Sequence, residues 1–116
     1  MAQKVNLLTE LIHPLKQLLY SYLMLNKNFD FFYERLNKKQ REAVDTIEGP
    51  VMVVAGPGTG KTTVLTLRIA QILRKTDTPP DAILALTFTE SGVYAMREKL
   101  LRLIGPAAYR DRKSVV

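Results

Sequence analysis

The stretch VMVVAGPGTGKTTVL, residues 51 to 65, sets three glycines, a proline and one lysine between two apolar runs. The first run, Val51 to Ala55, predicts a buried strand, and the second begins a helix. A glycine-rich turn at such a junction lets successive backbone N–H groups converge on an anion, because no side chain blocks the approach. The helix that begins near Lys61 adds the positive end of its dipole.

The lysine and threonines that close this turn predict nucleotide chemistry. Lys61 would reach the β- and γ-phosphates of a nucleotide, and the Thr62 hydroxyl would ligate Mg²⁺. The pattern AGPGTGKT is the relaxed form of the P-loop, since Ala55 stands where the strict motif has a glycine. The predicted cofactor site consists of Ala55, Gly56, Pro57, Gly58, Thr59, Gly60, Lys61, Thr62 and Thr63, with Lys61 and Thr62 as its catalytic residues. The alternative is a glycine-rich turn with a surface lysine, whereas a dinucleotide fingerprint is excluded by the glycine spacing.

The charge of the chain favours anionic partners. Its 116 residues include 17 Lys and Arg against 11 Asp and Glu, which gives a formal net charge of +6. Such a balance favours nucleotides or nucleic acid as partners. Cysteine is absent, which excludes disulfides, thiolate metal sites and cysteine nucleophiles. The same absence fits a reducing compartment, and we expect a cytoplasmic protein.

The N-terminal segment VNLLTELIHPLKQLLYSYLMLN, residues 5 to 26, is apolar over nearly the length of a membrane-spanning helix. Glu10, His13 and Lys16 lie inside it and Pro14 interrupts it, so we predict no membrane span. An amphipathic helix fits better, because six apolar residues fall on one face. These are Val5, Leu8, Ile12, Leu15, Leu19 and Tyr22. We expect residues 1 to 30 to form a helical extension that packs on the core or on a partner.

The rest of the chain alternates between helix and strand patterns. The segment LNKKQREAVDTI, residues 36 to 47, predicts a short helix capped by Asn37. The run AILALTF, residues 82 to 88, predicts a second strand, buried on both faces of a parallel sheet. A helix from Thr62 to Lys75 would bury Leu65, Ile69, Ile72 and Leu73, and a later helix would bury Val93, Met96, Leu100 and Leu103. The order strand, helix, strand, helix predicts an α/β fold.

Three sequence blocks together resemble the start of a UvrD/Rep-type superfamily 1 DNA helicase. They are LNKKQREAV, AGPGTGKTTVLTLRIA and ILALTFTESGVYAMREKL, and the resemblance covers about residues 36 to 110. It implies an incomplete RecA-like P-loop NTPase domain over residues 31 to 110, with a parallel sheet, flanking helices and a preceding N-terminal helix. It also implies an N-terminal fragment of an ATP-dependent, 3′ to 5′ DNA helicase that uses ATP and Mg²⁺ and binds single-stranded DNA.

The resemblance assigns roles to two further groups of residues. In that family the glutamine of the first block reads adenine, which carries over to Gln40; capping of the helix beside Asn37 is a compatible alternative. The TFT block lines the path of the single strand, so Thr87, Phe88 and Thr89 are candidate DNA contacts. Core filling by Phe88 and helix capping by Thr89 are the alternatives.

Two departures from the family pattern bear on the candidate DNA contacts and on ATP hydrolysis, respectively. After the TFT block the family usually has a small polar residue and two alanines, whereas this chain has ESGV at residues 90 to 93. ATP hydrolysis also needs an acidic pair at the end of a strand and arginines from a second domain, and no apolar run in this sequence ends in an acidic pair. We therefore expect the chain alone to be inactive.

The alternatives to a helicase fragment are a self-standing P-loop nucleotide-binding or interaction module and a different P-loop ATPase such as a small kinase.

The last six residues, DRKSVV at 111 to 116, have a separate explanation. They can be encoded as GAT CGG AAG AGC GTC GTG, the start of a widely used sequencing adapter whose next triplet is a stop codon. We expect this tail to be non-native and the natural reading frame to continue beyond Arg110. A genuine basic tail is the alternative.

Overall fold

The computed structural model describes Leu19 and residues 22–104. In this part of the chain, helix α1 covers residues 22–33. It is followed by α2 (Lys38–Asp45), α3 (Lys61–Lys75), a short 3₁₀ helix (Pro80–Ala82) and α4 (Glu90–Ile104). Most of the predicted N-terminal face and the whole of the predicted non-native tail lie outside the described residues.

The predicted α/β fold with a parallel RecA-like sheet is wrong for the described residues, which contain helices but no β-strand. Residues 51–55 and 82–88 were both expected to be strands, and neither is. A strand exists only where its N–H and C=O groups pair with a neighbouring extended segment, and neither run makes such a ladder. Several of their apolar side chains are exposed instead, by 91% at Val54 and 76% at Leu86, whereas Ile83 and Ala85 are partly buried against the core. The core is built from helix faces.

Helix α2 begins as the sequence predicts, with a reciprocal cap. The Asn37 Oδ1 atom accepts the N–H of Gln40 at 2.9 Å, and the Asn37 N–H donates to Gln40 Oε1 at 2.9 Å. This capping box satisfies two backbone donors that a helix N-terminus would otherwise leave unpaired. Val44, with no exposed surface, anchors the same helix in the core. The cap therefore fixes the position of Gln40 as well as the start of the helix.

Helix α3 lies between α2 and α4 and supplies much of the core. Its buried residues are Val64, Thr66, Leu67, Ile69, Ala70 and Gln71. The predicted stripe is right at Ile69 but wrong at Leu65, which is 37% exposed. A helix that packs against neighbours on two sides buries a wider face than a single stripe, and this shifts the buried positions.

The core consists of two clusters that share α3. The larger one joins all four helices and contains Phe29, Leu36, Val44, Val64, Leu67, Ala70, Leu103 and Ile104. The smaller one joins Ile69 to Met96 and Leu100. The predicted buried face of α4 is thus confirmed at Met96, Leu100 and Leu103, whereas Val93 is 43% exposed.

A polar network ties α1 to α2 and α3. The Tyr33 hydroxyl donates to Asp45 Oδ2 at 2.6 Å, and Gln71 Nε2 donates to Asp45 Oδ1 at 2.9 Å. Arg74 donates to Gln71 Oε1 at 3.1 Å and to Asn26 Oδ1 at 2.8 Å. Gln71 is buried, so these partners satisfy polar atoms that would otherwise be costly to bury. The network fixes the N-terminal helix to the body of the domain.

The ionisation of Tyr33 should lower the stability of the fold at alkaline pH. Its hydrogen bond to Asp45, followed by loss of solvent contact, raises the pKa of Tyr33 above the ordinary 10.0. The hydrogen bond is therefore fully present below about pH 10 and is lost as pH rises through the raised pKa. We expect the Tm difference between the parent chain and Tyr33→Phe to narrow above about pH 10. A Tm difference that does not change with pH would contradict this role.

Candidate nucleotide-binding site

The loop from Ala55 to Gly60, called the glycine loop below, leads directly into α3. Gly58 and Gly60 have φ angles of 72° and 77°, in the left-handed region that favours glycine. The Thr59 hydroxyl donates to the Gly56 carbonyl oxygen at 2.6 Å and closes the turn. Lys61, the first residue of α3, follows at once.

The backbone between Gly60 and Thr63 presents a row of N–H groups. None of these donors has a hydrogen-bonding partner among the described residues, and the next one, Val64 N–H, donates to the Gly60 carbonyl oxygen at 3.0 Å. The N-terminus of a helix leaves such donors unpaired and adds the positive end of the helix dipole. The carbonyl groups of Gly56 and Thr59 already accept side-chain donors. The backbone therefore presents N–H donors to an anion, while these two nearby carbonyl oxygens are already hydrogen-bonded to side chains.

Gln40 lies against the glycine loop. Its Nε2 atom donates to the Thr59 carbonyl oxygen at 3.0 Å, while its Oε1 atom accepts the N–H of Asn37. A Cβ atom built on Gly60 would lie 3.5 Å from the same Nε2 atom. The structure therefore brings the predicted adenine-reading residue and the predicted phosphate loop together, although 19 positions separate Gln40 from Thr59.

The side chains at the start of α3 differ in what they contact. Lys61 is exposed, and its ammonium group has no partner among residues 22–104. Thr63 is held from α4, because Lys99 Nζ donates to Thr63 Oγ1 at 2.9 Å. Sequence reasoning missed Lys99, since no motif spacing marks a residue 36 positions beyond Thr63. Lys99 and Arg102 also line a cavity of about 60 Å³ between α1, α3 and α4.

The candidate DNA contacts lie just before α4. Phe88 is fully exposed, at 107% of its reference area, so the core-filling alternative is wrong in this structure. Thr89 does cap the helix, because its Oγ1 accepts the Gly92 N–H at 3.0 Å. A Cβ atom at Gly92 would come within 2.5 Å of Thr87 Oγ1, which accounts for glycine where the family pattern has a larger residue. No hydrogen bond links this segment to the glycine loop within the described part.

Neither a metal-binding group nor a membrane-spanning helix is seen in the part of the chain that the structure describes. Its Asp and Glu residues form no group of three or more that could hold a metal ion. Its helices include none that is both long and apolar enough to cross a membrane.

Comparison with known proteins identifies the family. The model of the UvrD/REP helicase N-terminal domain matches residues 36–114, which include the α2 cap, the glycine loop and α4. The chain belongs to the UvrD/REP helicase family. The match reaches into residues 111–116, whose non-native origin stays a prediction.

Several relatives of this UvrD/REP chain carry the name ATP-dependent DNA helicase PcrA. The protein from Staphylococcus aureus strain Mu50 is 47% identical over 73 residues, which cover 63% of this chain and 10% of the relative. The protein from Leuconostoc citreum is 46% identical over 76 residues, covering 66% and 10%. The protein from Staphylococcus epidermidis is 45% identical over 75 residues, covering 65% and 10%. The chain thus spans about a tenth of the length of the curated relatives it matches.

Proposed function

We propose that this chain carries the ATP site of an ATP-dependent DNA helicase and that the glycine loop is its P-loop. The observation that carries the proposal is the contact of Gln40 with the glycine loop, beside N–H groups from Gly60 to Thr63 that have no hydrogen-bonding partner among the described residues. These donors would bind the phosphates, and the exposed Lys61 ammonium would add charge-assisted hydrogen bonds. The name of the PcrA relatives, ATP-dependent DNA helicase, supports the use of ATP. We include DNA unwinding by the whole protein in the same proposal.

The base and the metal ion fit the remaining groups of the site. A carboxamide has two protons and an oxygen with two lone pairs, so Gln40 retains one proton and one lone pair for adenine. Mg²⁺ that arrives with ATP keeps several waters and takes phosphate oxygens, and it needs few protein ligands. The Thr62 hydroxyl, in the first turn of α3, suits that single role. The ion would neutralise phosphate charge when bound.

Isothermal titration of the 116-residue chain with ATP·Mg²⁺ and with GTP·Mg²⁺ tests this site. We expect saturable binding of both nucleotides with preference for ATP, because guanine presents the O6 acceptor where adenine presents its N6 amino donor. Absence of ATP binding would contradict the proposed site. Equal affinity for the two nucleotides would leave phosphate binding intact and remove adenine reading.

Single-stranded DNA is the second ligand of the proposal, at the segment from Thr87 to Thr89. Phe88 presents a whole aromatic face to solvent, and bases of any sequence can stack on such a face. The net charge of +6 favours a polyanion. Binding should weaken as salt rises, because phosphate neutralisation releases counterions.

Replacing Phe88 by alanine should cost about 1–3 kcal/mol of single-strand binding, the value of one base stacked on an aromatic ring. Fluorescence anisotropy of a labelled oligothymidine measures the loss. Tyr94→Ala is the matched control, since Tyr94 is another exposed aromatic residue, 63% exposed on α4. The same loss in both variants would show that Phe88 has no specific role.

The helicase reading is preferred over a self-standing nucleotide-binding module because the family match supports it and no observation favours the module. Four further expectations stay predictions. They are the 3′ to 5′ polarity, the inactivity of the chain alone, the domain boundaries at residues 30 and 110, and the cytoplasmic location.

A further inference from the structure

We infer that Gln40 is a positioning residue for the glycine loop, which it holds in an anion-binding conformation through the Thr59 carbonyl group. This role is distinct from adenine reading and from helix capping, and it rests on the proposed nucleotide site. The contact that points to it is the hydrogen bond from Gln40 Nε2 to the Thr59 carbonyl oxygen at 3.0 Å.

The hydrogen bond to the Thr59 carbonyl oxygen also fixes the direction of the Gly60 N–H, because both groups belong to one peptide unit. A trans peptide unit is planar, so the Thr59 carbonyl and the Gly60 N–H point in opposite directions. Because Gln40 holds the carbonyl oxygen, the Gly60 N–H is turned away from α2. Gly60 has no side chain to resist rotation of this peptide. Without the contact the plane can rotate and present a carbonyl oxygen, which repels phosphate, in place of a donor.

Gln40 can hold the loop because it is itself held. Its Oε1 atom accepts the Asn37 backbone N–H at 2.9 Å, a bond that does not depend on the Asn37 side chain. Helix α2 is in turn anchored by Val44, which is completely buried. The carboxamide is therefore a bridge between a fixed helix start and a loop rich in glycine. Its second proton and second lone pair remain, so adenine and the loop can be contacted at once.

Inorganic tripolyphosphate separates loop positioning from base reading, because it offers phosphates without a base. The experiment measures Mg²⁺·tripolyphosphate and ATP·Mg²⁺ affinities by calorimetry for the parent chain and for two variants. Gln40→Leu removes both side-chain hydrogen bonds of Gln40. Asn37→Ala is the matched control, since it removes the cap acceptor but leaves the bond from Gln40 to Thr59. Circular dichroism checks that both variants are folded.

We expect Gln40→Leu to weaken tripolyphosphate binding roughly two- to twelvefold, the range for loss of one neutral hydrogen bond. Asn37→Ala should leave that affinity unchanged. Parent-like tripolyphosphate affinity in Gln40→Leu, with ATP binding alone weakened, would overturn loop positioning and leave adenine reading in place. An equal loss in both variants would also overturn it, since capping would then explain the effect. Failure of the parent chain to bind ATP would overturn the proposed function and this inference with it.

A second measurement needs no ligand. In ¹⁵N-labelled chain without nucleotide, the Gly60 amide resonance should move in Gln40→Leu and stay in place in Asn37→Ala, because only the first variant frees the Thr59 carbonyl. An unmoved Gly60 resonance in Gln40→Leu would overturn the inference even if tripolyphosphate binds too weakly to measure.

Discussion

Truncation of Leu67 to alanine is expected to lower the free energy of unfolding by about 2–5 kcal/mol, the largest stability effect of any single truncation considered for this chain. Leu67 has no exposed surface and lies in the cluster that joins all four helices. It also borders the cavity that Lys99 and Arg102 line, so the truncation enlarges an existing void. Because folded domains are stable by only about 5–15 kcal/mol, such a loss would remove a large part of the free energy of unfolding.

Leu65→Ala is the matched control for Leu67→Ala. Both residues lie on α3, and both changes have the same small effect on helix propensity. Leu65 is 37% exposed, so its truncation removes fewer buried contacts. Urea unfolding followed by far-ultraviolet circular dichroism compares the two. An equal loss of stability in both variants would contradict the central position of Leu67.

Replacement of Lys61 by alanine is expected to weaken ATP·Mg²⁺ binding roughly 10- to 150-fold. The change removes a charge-assisted hydrogen bond, worth about 1.5–3 kcal/mol. Lys61 is exposed and is the first residue of α3, directly after the glycine loop. Its ammonium group has no competing partner among the described residues, so the whole charge is available to phosphate. Calorimetric titration of parent and variant measures the loss.

Lys75→Ala controls for the loss of one positive charge from α3. Lys75 lies in the last turn of the same helix, about 21 Å along the axis from Lys61. Its removal changes the net charge equally but leaves the glycine loop untouched. We expect its ATP affinity to match that of the parent chain. If both lysine variants lose the same affinity, the effect of Lys61 is one of general charge.

The helices could be predicted from the sequence because their signals are local. The Asn37 and Gln40 pair, three residues apart, marks the start of α2, and the structure contains both reciprocal hydrogen bonds. The apolar spacing of Met96, Leu100 and Leu103 likewise predicts the buried face of α4. Such features depend on contacts within one helical turn, so a single sequence carries the information for them.

The sheet could not be predicted correctly because strand pairing is not local. The runs around Val54 and Leu86 have the apolar composition of buried strands, and the sheet was predicted from that composition, from the order of the elements and from the family resemblance. Pairing requires another extended segment alongside, and in the described residues neither run has one. The apolar composition predicted burial of both runs, but the helical core leaves Val54 and Leu86 largely exposed.

The candidate site was predictable only where a motif fixes it. The glycine loop and Lys61 follow from spacing alone, and the structure adds the left-handed φ angles at Gly58 and Gly60. The contact of Gln40 with Thr59 and that of Lys99 with Thr63 both depend on how helices pack. Packing brings together residues far apart in the chain, and no pattern within either segment records it.

We propose that the N–H groups from Gly60 to Thr63, which have no hydrogen-bonding partner among the described residues, bind the phosphates of ATP. Titration of ¹⁵N-labelled chain with ATP·Mg²⁺, followed by amide chemical shifts, reports on each of these groups separately. We expect saturable shifts that are largest at Gly60, Lys61, Thr62 and Thr63 and small in the last turn of α4. Saturable shifts that leave these four amides in place, or no shifts at all, would contradict it.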